Sequence, residues 1–136
     1  MNHAQLAAAA VAAKDRAYAP YSGFHVGAAL LSEGETLYIG CNIESAAYPA
    51  TVCAERTALL KAVSEGERKF RAIAVAGSKP GADGDYCYPC GVCRQLLHEF
   101  AGEDFEVIVA RTATDFRVHK WAEILPFGFG PKDLEG

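Results

Sequence analysis

Two closely spaced cysteines in this sequence have the pattern of a metal or redox site. Cys90 and Cys93 form a C-x-x-C pair directly after Pro89, and proline suits a helix start because its missing N–H is not needed there. Residues i and i+3 share a helix face, so both thiolates can converge on one ion near the positive end of the helix dipole. The pair alone is typical of three sites: a redox disulfide, half of a structural zinc site, or two thirds of a catalytic one.

A third cysteine favours the catalytic interpretation. Cys53 stands at the start of another predicted helix, and Glu55 follows two residues later. Both helices follow strands that we expect to be parallel, so both helix starts lie at the sheet edge where open α/β sheets bind ligands. Three sulfurs leave the fourth position of a tetrahedral zinc ion to water, whereas a structural site uses four protein ligands. A carboxylate beside such water can carry protons.

The remaining cysteines leave one alternative open. Cys87 lies three residues before Cys90, so Cys53, Cys87, Cys90 and Cys93 form the alternative of a four-sulfur structural site with no position for water. Otherwise we interpret Cys41 as a core thiol and Cys87 as a loop thiol. Five cysteines in a chain with no export signal do not indicate a disulfide framework.

The elements that must position these residues follow from hydrophobic periodicity and turn residues. Asn2 and Gln5 predict a capping box that opens a first helix. Gly34 is expected to take the positive φ of a hairpin loop. Helices are predicted over residues 2–18, 54–64 and 92–101, with a short helical turn over 121–125. Strands are predicted over residues 24–31, 36–41, 72–76, 105–110 and 116–119, the last at or near a sheet edge.

The middle of the chain alternates strand and helix, which builds a parallel sheet with helices on its faces. The hairpin that precedes it adds an antiparallel pair. We therefore predict an α/β fold, with residues 1–136 forming one three-layer α/β/α domain around a mixed five-stranded sheet.

Composition narrows the class of protein. The chain has 136 residues, 51% hydrophobic and 22% charged, which excludes intrinsic disorder. A net charge of −4 and the lack of basic runs argue against a nucleic-acid partner. No apolar stretch is long enough to span a bilayer, and no signal peptide is recognisable, so we expect no membrane partner and a cytoplasmic location.

Four separated motifs resemble one enzyme family. Cys53-Ala54-Glu55 followed by Pro89-Cys90-Gly91-Val92-Cys93 resembles the zinc nucleoside and nucleobase deaminase superfamily, in which three cysteines are a known ligand set. Residues 18–29, 42–48 and 123–129 resemble the N-terminal signature, the ribose-binding loop and the C-terminal segment of the cytidine deaminases. The resemblance covers nearly the whole chain and is to the small, homotetrameric, all-cysteine form.

The resemblance implies a reaction and its machinery. One Zn²⁺ per subunit is held by Cys53, Cys90 and Cys93, and Glu55 carries protons between an activated water and the pyrimidine. Cytidine and 2′-deoxycytidine are hydrolysed to uridine, 2′-deoxyuridine and ammonia, a reaction of pyrimidine salvage. The orientation of Glu55 toward the metal comes from the resemblance, because side chains at i and i+2 diverge on a regular helix.

The resemblance also assigns substrate contacts. Phe24 stacks on the pyrimidine, Asn42 and Glu44 bind the 3′-hydroxyl of the ribose, and the remaining contacts come from Ala46, Tyr48, Ala54 and Phe129. In the family's homotetramer the sites are shared: Phe129, Ala46 and Tyr48 serve a neighbouring subunit. By spacing alone, Asn42 and Glu44 share one strand face and could reach the same ribose hydroxyl, but without the family resemblance a polar loop is the favoured interpretation.

Arg56 has two interpretations at this point. Three thiolates on zinc form a cluster of net charge about −1, and a guanidinium bonded to them would counter that charge. The alternative is an exposed helical arginine. For the whole chain, the alternatives to cytidine deamination are deamination of another aminated pyrimidine or a polynucleotide, a non-enzymatic zinc module, and a redox C-x-x-C protein.

Overall fold

A mixed sheet forms the centre of the protein. The computed structural model describes residues 1–135. Within them the strands are β1 (His25–Ser32), β2 (Leu37–Cys41), β3 (Phe70–Ser78), β4 (Glu106–Ala110) and β5 (Phe116–Lys120). The helices are α1 (His3–Ala13), α2 (Ala54–Ser64), α3 (Gly91–His98), α4 (Trp121–Ile124) and α5 (Pro131–Leu134).

The strand order places three strands in the same direction. The order is β2-β1-β3-β4-β5. Strand β1 is antiparallel to both β2 and β3, β3 is parallel to β4, and β5 is antiparallel to β4. Strands β2, β3 and β4 therefore run the same way, and their carboxyl ends lie at one sheet edge. The predicted α/β class and mixed five-stranded sheet are confirmed, with β5 at an edge as expected.

Side chains alternate between two cores, one on each face of the sheet. On one face, Ile73 and Val75 of β3 pack with α2, α3 and α4. On the other face, Ala72, Ala74 and Ala76 of the same strand pack against α1. Small residues on that second face match the alanine-rich α1. The layers are therefore helix, sheet and helix, as predicted.

Helix α1 is shorter than the sequence predicts. Asn2 caps it and the capping box with Gln5 is present, as expected. The helix ends at Ala13, and a 3₁₀ turn follows over Lys14–Arg16. Tyr18 is then extended because its N–H donates to the Asn42 carbonyl over 3.0 Å and its carbonyl accepts from Glu44. Pairing with a distant segment, and not Pro20, therefore ends the helical region.

The β1–β2 hairpin uses a different residue from the one predicted. Glu35, not Gly34, takes the positive φ, at 66°. The Glu35 carboxylate accepts from the N-terminal amine at 2.9 Å and also pairs with Arg71. The Glu35 N–H donates to the Ser32 carbonyl over 3.0 Å, so Glu35 closes the turn in a conformation that is unusual for a residue with a Cβ.

The other boundaries agree to within a few residues. Helix α2 has the predicted bounds, while α3 ends at His98 rather than at residue 101. Strand β3 extends beyond the apolar run at both ends, and α5 lies in a tail that the sequence left unassigned. Across residues 1–135, no helix combines the length and the apolar character that a membrane crossing needs.

Candidate active site

Two helix starts bring three sulfurs together. Cys53 is the N-cap residue of α2, and Cys90 is the N-cap residue of α3. The Sγ atoms of Cys53 and Cys90 are 3.8 Å apart, and those of Cys90 and Cys93 are 3.5 Å apart. Tetrahedral zinc with Zn–S bonds of about 2.3 Å requires sulfurs about 3.8 Å apart. The donor set therefore fits zinc by both type and spacing.

Close packing fixes the start of α2 at this edge. Gly40 of β2 lies against the helix so closely that a Cβ there would be 2.5 Å from the Ala54 carbonyl oxygen. Only glycine allows this approach, because any other residue would push the first turn of α2 away from the sheet. The turn that carries Cys53 and Glu55 is thereby held in place.

Glu55 is a carboxyl group buried beside the sulfurs. It is only 4% exposed. Burial, and then the negative charge of Cys53, raise the pKa of Glu55 to about 7. A carboxyl group with a pKa near neutrality can both accept and donate a proton. The fold thus directs this side chain inward, which its spacing from Cys53 does not require.

Arg56 faces the sulfur cluster rather than solvent. Its Nη2 donates to the Thr51 carbonyl over 3.0 Å, and its buried Nε has no partner among the described protein atoms. Burial opposes the charge, but the Cys53 and Cys93 sulfurs outweigh it and raise the pKa of Arg56. Hydrogen bonds from Cys93, and then from Arg56, lower the pKa of Cys53 to about 5. Cys53 is therefore the thiolate of the cluster before any metal binds, because the hydrogen bond to Cys53, and then burial, raise the pKa of Cys93.

Cys87 lies beside the site but outside the sulfur cluster. The group of candidate metal ligands contains Cys53, Cys90 and Cys93 and not Cys87. Burial, and then the charges of Glu55 and Cys53, raise the pKa of Cys87 to about 11, so it is a neutral thiol at pH 7. The position of Cys87 outside the sulfur cluster disfavours the four-sulfur structural alternative.

Phe24 meets Cys87 over a glycine of β3. A Cβ at Gly77 would be 2.9 Å from the Phe24 ring and 3.0 Å from the Cys87 sulfur. The ring is 37% exposed. Sequence reasoning missed Gly77, although a glycine in a strand often marks a close approach of this kind.

Asn42 and Glu44 bind the segment that carries Phe24. The Asn42 side chain accepts from the Val26 N–H and donates to the Phe24 carbonyl, each over 2.8 Å. Glu44 accepts from the backbone N–H groups of Tyr21 and Ser22. The Ser22 hydroxyl also donates to it over 2.5 Å and is the largest cause of the lowered Glu44 pKa. Both side chains therefore shape the 21–26 turn.

The other predicted contact residues differ in exposure. Ala54 is buried at the first position of α2, next to Cys53. Ala46 is exposed, and Tyr48 is 73% exposed and packs edge-on against Tyr21 at 6.1 Å. Phe129 is 58% exposed. A single chain leaves these last three side chains uncovered.

Sequence reasoning also missed residues that position the predicted ones through hydrogen bonds. Thr51 supplies a carbonyl to Arg56, Ser22 supplies donors to Glu44, and Gln95 donates to the Phe129 carbonyl. Gln95 falls within the predicted third helix, but nothing in the periodicity of that helix indicates its partner.

Comparison with known proteins identifies the family. Residues 1–110 match the family described as cytidine and deoxycytidylate deaminase zinc-binding region. A cytidine deaminase of Sporosarcina psychrophila is 45% identical over 134 residues, covering 98% of this chain and 96% of the relative. One of Halalkalibacterium halodurans is 42% identical over 135 residues, covering 98% of each.

Solved structures agree in fold. The crystal structure of cytidine deaminase from Burkholderia pseudomallei has a TM-score of 0.84 and 44% sequence identity, covering 95% of this chain and 100% of that one. The structural match therefore extends over nearly the whole chain. On this evidence, the chain belongs to the cytidine and deoxycytidylate deaminase family of zinc-binding enzymes.

Proposed function

We propose that the protein is a cytidine deaminase that hydrolyses cytidine and 2′-deoxycytidine to uridine and 2′-deoxyuridine, with release of ammonia. The observation that carries the proposal is the convergence of three sulfurs at the starts of α2 and α3, with the buried Glu55 in the same helical turn as Cys53. The family's enzymes and the resembling motifs supply the substrate class. We infer one catalytic domain over residues 1–136 and a cytoplasmic location.

Cys53, Cys90 and Cys93 would hold one zinc ion per subunit. When bound, zinc supplies a Lewis acid that makes water nucleophilic near neutral pH. Arg56 supports this role because its guanidinium lies beside the sulfurs and offsets part of their negative charge. Three protein ligands, rather than four, suit a catalytic site.

Glu55 would move the protons. Deamination adds an oxygen atom to C4 of the pyrimidine and removes the amino group as ammonia, so one proton of water must reach N3 and the other must reach the departing amine. A single buried carboxyl group can take up and return each proton in turn without losing it to solvent. A pKa raised by burial fits this use.

The substrate contacts are proposed from the family resemblance and from placement. Phe24 would stack on the pyrimidine, held in position by Asn42 through its backbone carbonyl. Asn42 and Glu44 would bind the 3′-hydroxyl of the ribose. The side-chain oxygens of both residues already accept hydrogen bonds from backbone N–H groups, so the sugar hydroxyl would share these acceptors. Ala54 would lie at the edge of the base, next to Cys53.

We infer a homotetramer with shared active sites. Phe129 and Tyr48 are large exposed aromatic side chains, and aromatic residues are enriched where subunits meet. A nucleoside also needs most of its surface covered. A neighbour's Phe129, Ala46 and Tyr48 would complete each site.

The test is turnover of a substrate series by purified, zinc-containing protein, followed by ultraviolet absorbance. Cytidine and 2′-deoxycytidine are expected to react. Cytosine, dCMP and a short single-stranded oligonucleotide are expected to react at least about 100-fold more slowly, because they lack the sugar hydroxyl contacts or add charge. A preference for any of these three would assign another deaminase activity. If the metal-loaded protein turns over none of these substrates, the non-enzymatic zinc module is the remaining alternative.

A further inference from the structure

Helix α3 holds the C-terminal segment as well as two of the three sulfurs. Arg94 donates from Nε to the Pro89 carbonyl and from Nη1 to the Ile124 carbonyl, each over 2.7 Å. The Gln95 side-chain amide donates to the Phe129 carbonyl over 2.8 Å. The segment that follows α4 is therefore tied by hydrogen bonds to the helix that begins at the metal ligands.

The ring of His98, in the last turn of α3, contacts the same C-terminal segment. The Trp121 indole N–H donates to His98 Nδ1 over 2.8 Å, and the two rings stack with centroids 6.0 Å apart. An indole N–H only donates, so Nδ1 is the acceptor and the ring orientation is fixed. The opposite edge of the imidazole, with Nε2 and Cδ2, faces the tail.

Two glycines on either side of Phe129 lie directly on that edge. A Cβ at Gly128 would be 3.0 Å from His98 Nε2, and one at Gly130 would be 2.8 Å from His98 Cδ2. Gly130 has extended backbone, with φ at −152°, which any residue adopts. Its lack of a side chain therefore serves close approach to His98, not an unusual conformation.

The backbone of Phe129 is thus fixed while its ring is presented outward. Its carbonyl is bound by Gln95, its two neighbours rest on His98, and the ring is 58% exposed. A group held in one position before binding loses less conformational freedom when it binds.

We propose that Gln95 and His98 are positioning residues that hold the Phe129 ring in the orientation needed to cover the pyrimidine. The proposal rests on the proposed function, in which that ring closes a neighbouring subunit's site. Neither residue touches substrate. Their effect reaches the base only through Phe129, so it is an effect on substrate binding.

The test measures kcat and KM for cytidine with zinc-loaded tetramer. Gln95→Met keeps the chain length and removes the donor, and Gly130→Ala adds a methyl group against His98. Each is expected to raise KM about three- to tenfold, as for the loss of one hydrogen bond, with little change in kcat or zinc content. Gln95→Lys restores a donor and is expected to recover part of the loss. Gly102→Ala is the matched control, because a Cβ there meets nothing within 4 Å.

Combining Gln95→Met with Phe129→Ala distinguishes a positioning role of Gln95 from a general structural role. If Gln95 acts through the ring, the double variant Gln95→Met/Phe129→Ala has the same KM as Phe129→Ala. Additive effects, or an unchanged KM in Gln95→Met and Gly130→Ala, would overturn the proposal while leaving the role of the ring intact. An unchanged KM in Phe129→Ala itself would instead refute the proposed function of the ring. Trp121 is the only tryptophan in the sequence, so its fluorescence reports whether the contact between Trp121 and His98 is disturbed.

Discussion

Cys53 and Cys90 occupy equivalent positions in two different helices. Each is the extended N-cap residue of a helix that follows a strand, neither uses its side chain to cap that helix, and their sulfurs are 3.8 Å apart. A thiolate at a helix N-terminus is stabilised by the helix dipole. A cysteine at a helix N-terminus thus occurs twice at one sheet edge and supplies two of the three sulfurs of the metal site.

Replacing Glu55 with glutamine tests the proton carrier. Glu55→Gln keeps the size and polarity of the side chain but cannot accept the proton. We expect cytidine turnover to fall by at least about 10²–10⁴-fold, the usual contribution of a general acid–base group. Zinc content, measured by atomic absorption, should stay at one per subunit. Substantial activity in the metal-loaded variant would contradict the role of Glu55 as the proton carrier.

Single cysteine variants test the ligand set. Cys53→Ala, Cys90→Ala and Cys93→Ala should each lose zinc and activity, because each removes one of three converging sulfurs. Cys87→Ser should keep both, since the neutral Cys87 thiol lies outside that group. Zinc content and the absorption spectrum of the Co²⁺-substituted protein measure the outcome. Zinc loss in Cys87→Ser as complete as in Cys90→Ala would instead indicate a four-sulfur structural site.

Arg56→Gln tests the electrostatics of the metal-free cluster. The hydrogen bond from Cys93, and then that from the Arg56 guanidinium, lower the pKa of Cys53 to about 5. Removal of the guanidinium should therefore raise that pKa and shift thiolate formation to higher pH. Thiolate ultraviolet absorbance of the metal-free protein, followed against pH, measures the change. A titration curve that coincides with that of the unmodified protein would show that the guanidinium does not act on the sulfurs.

Asn42→Ala should reduce both stability and substrate affinity. The substitution leaves the Val26 N–H and the Phe24 carbonyl without their side-chain partner. An unsatisfied buried group costs about 1–3 kcal/mol, so thermal unfolding should shift down measurably. KM for cytidine should rise as well, because Phe24 loses its support. Glu44→Gln is the comparison: it keeps an acceptor for the 21–26 turn, so its effect on KM should exceed its effect on stability. The reverse order for Glu44 would make it a structural residue.

Mixing two inactive proteins tests the shared site. One variant is Glu55→Gln, and the other is truncated after Pro126 and so lacks Phe129. In a mixed oligomer, a subunit with an intact Glu55 can meet a neighbour with an intact tail, so activity should partly return. The two proteins must each fold and exchange subunits, which size analysis of labelled mixtures establishes. Exchange without recovery of activity would contradict sites completed in trans.

Local rules determined much of this protein. The capping box at Asn2, the bounds of α2 and the helix starts at Cys53 and near Cys90 depend on residues close together in sequence. Strand and helix alternate in a way that permits few topologies, so the mixed sheet and the common edge for the three sulfurs followed from pattern alone. The sulfurs could be predicted because each sits at the end of a locally encoded element.

Tertiary structure decided what depends on residues far apart in the chain. Pairing of Tyr18 with the 42–44 segment ended α1 early. Glu35 rather than Gly34 takes the positive φ, where its carboxylate pairs with the N-terminal amine and Arg71. Gln95 was joined to Phe129 only by the docking of the tail on α3. The inward turn of Glu55 is the clearest case. Residues i and i+2 diverge on a helix, and it is the packing of α2 against the sheet that buries this carboxyl group beside the sulfurs.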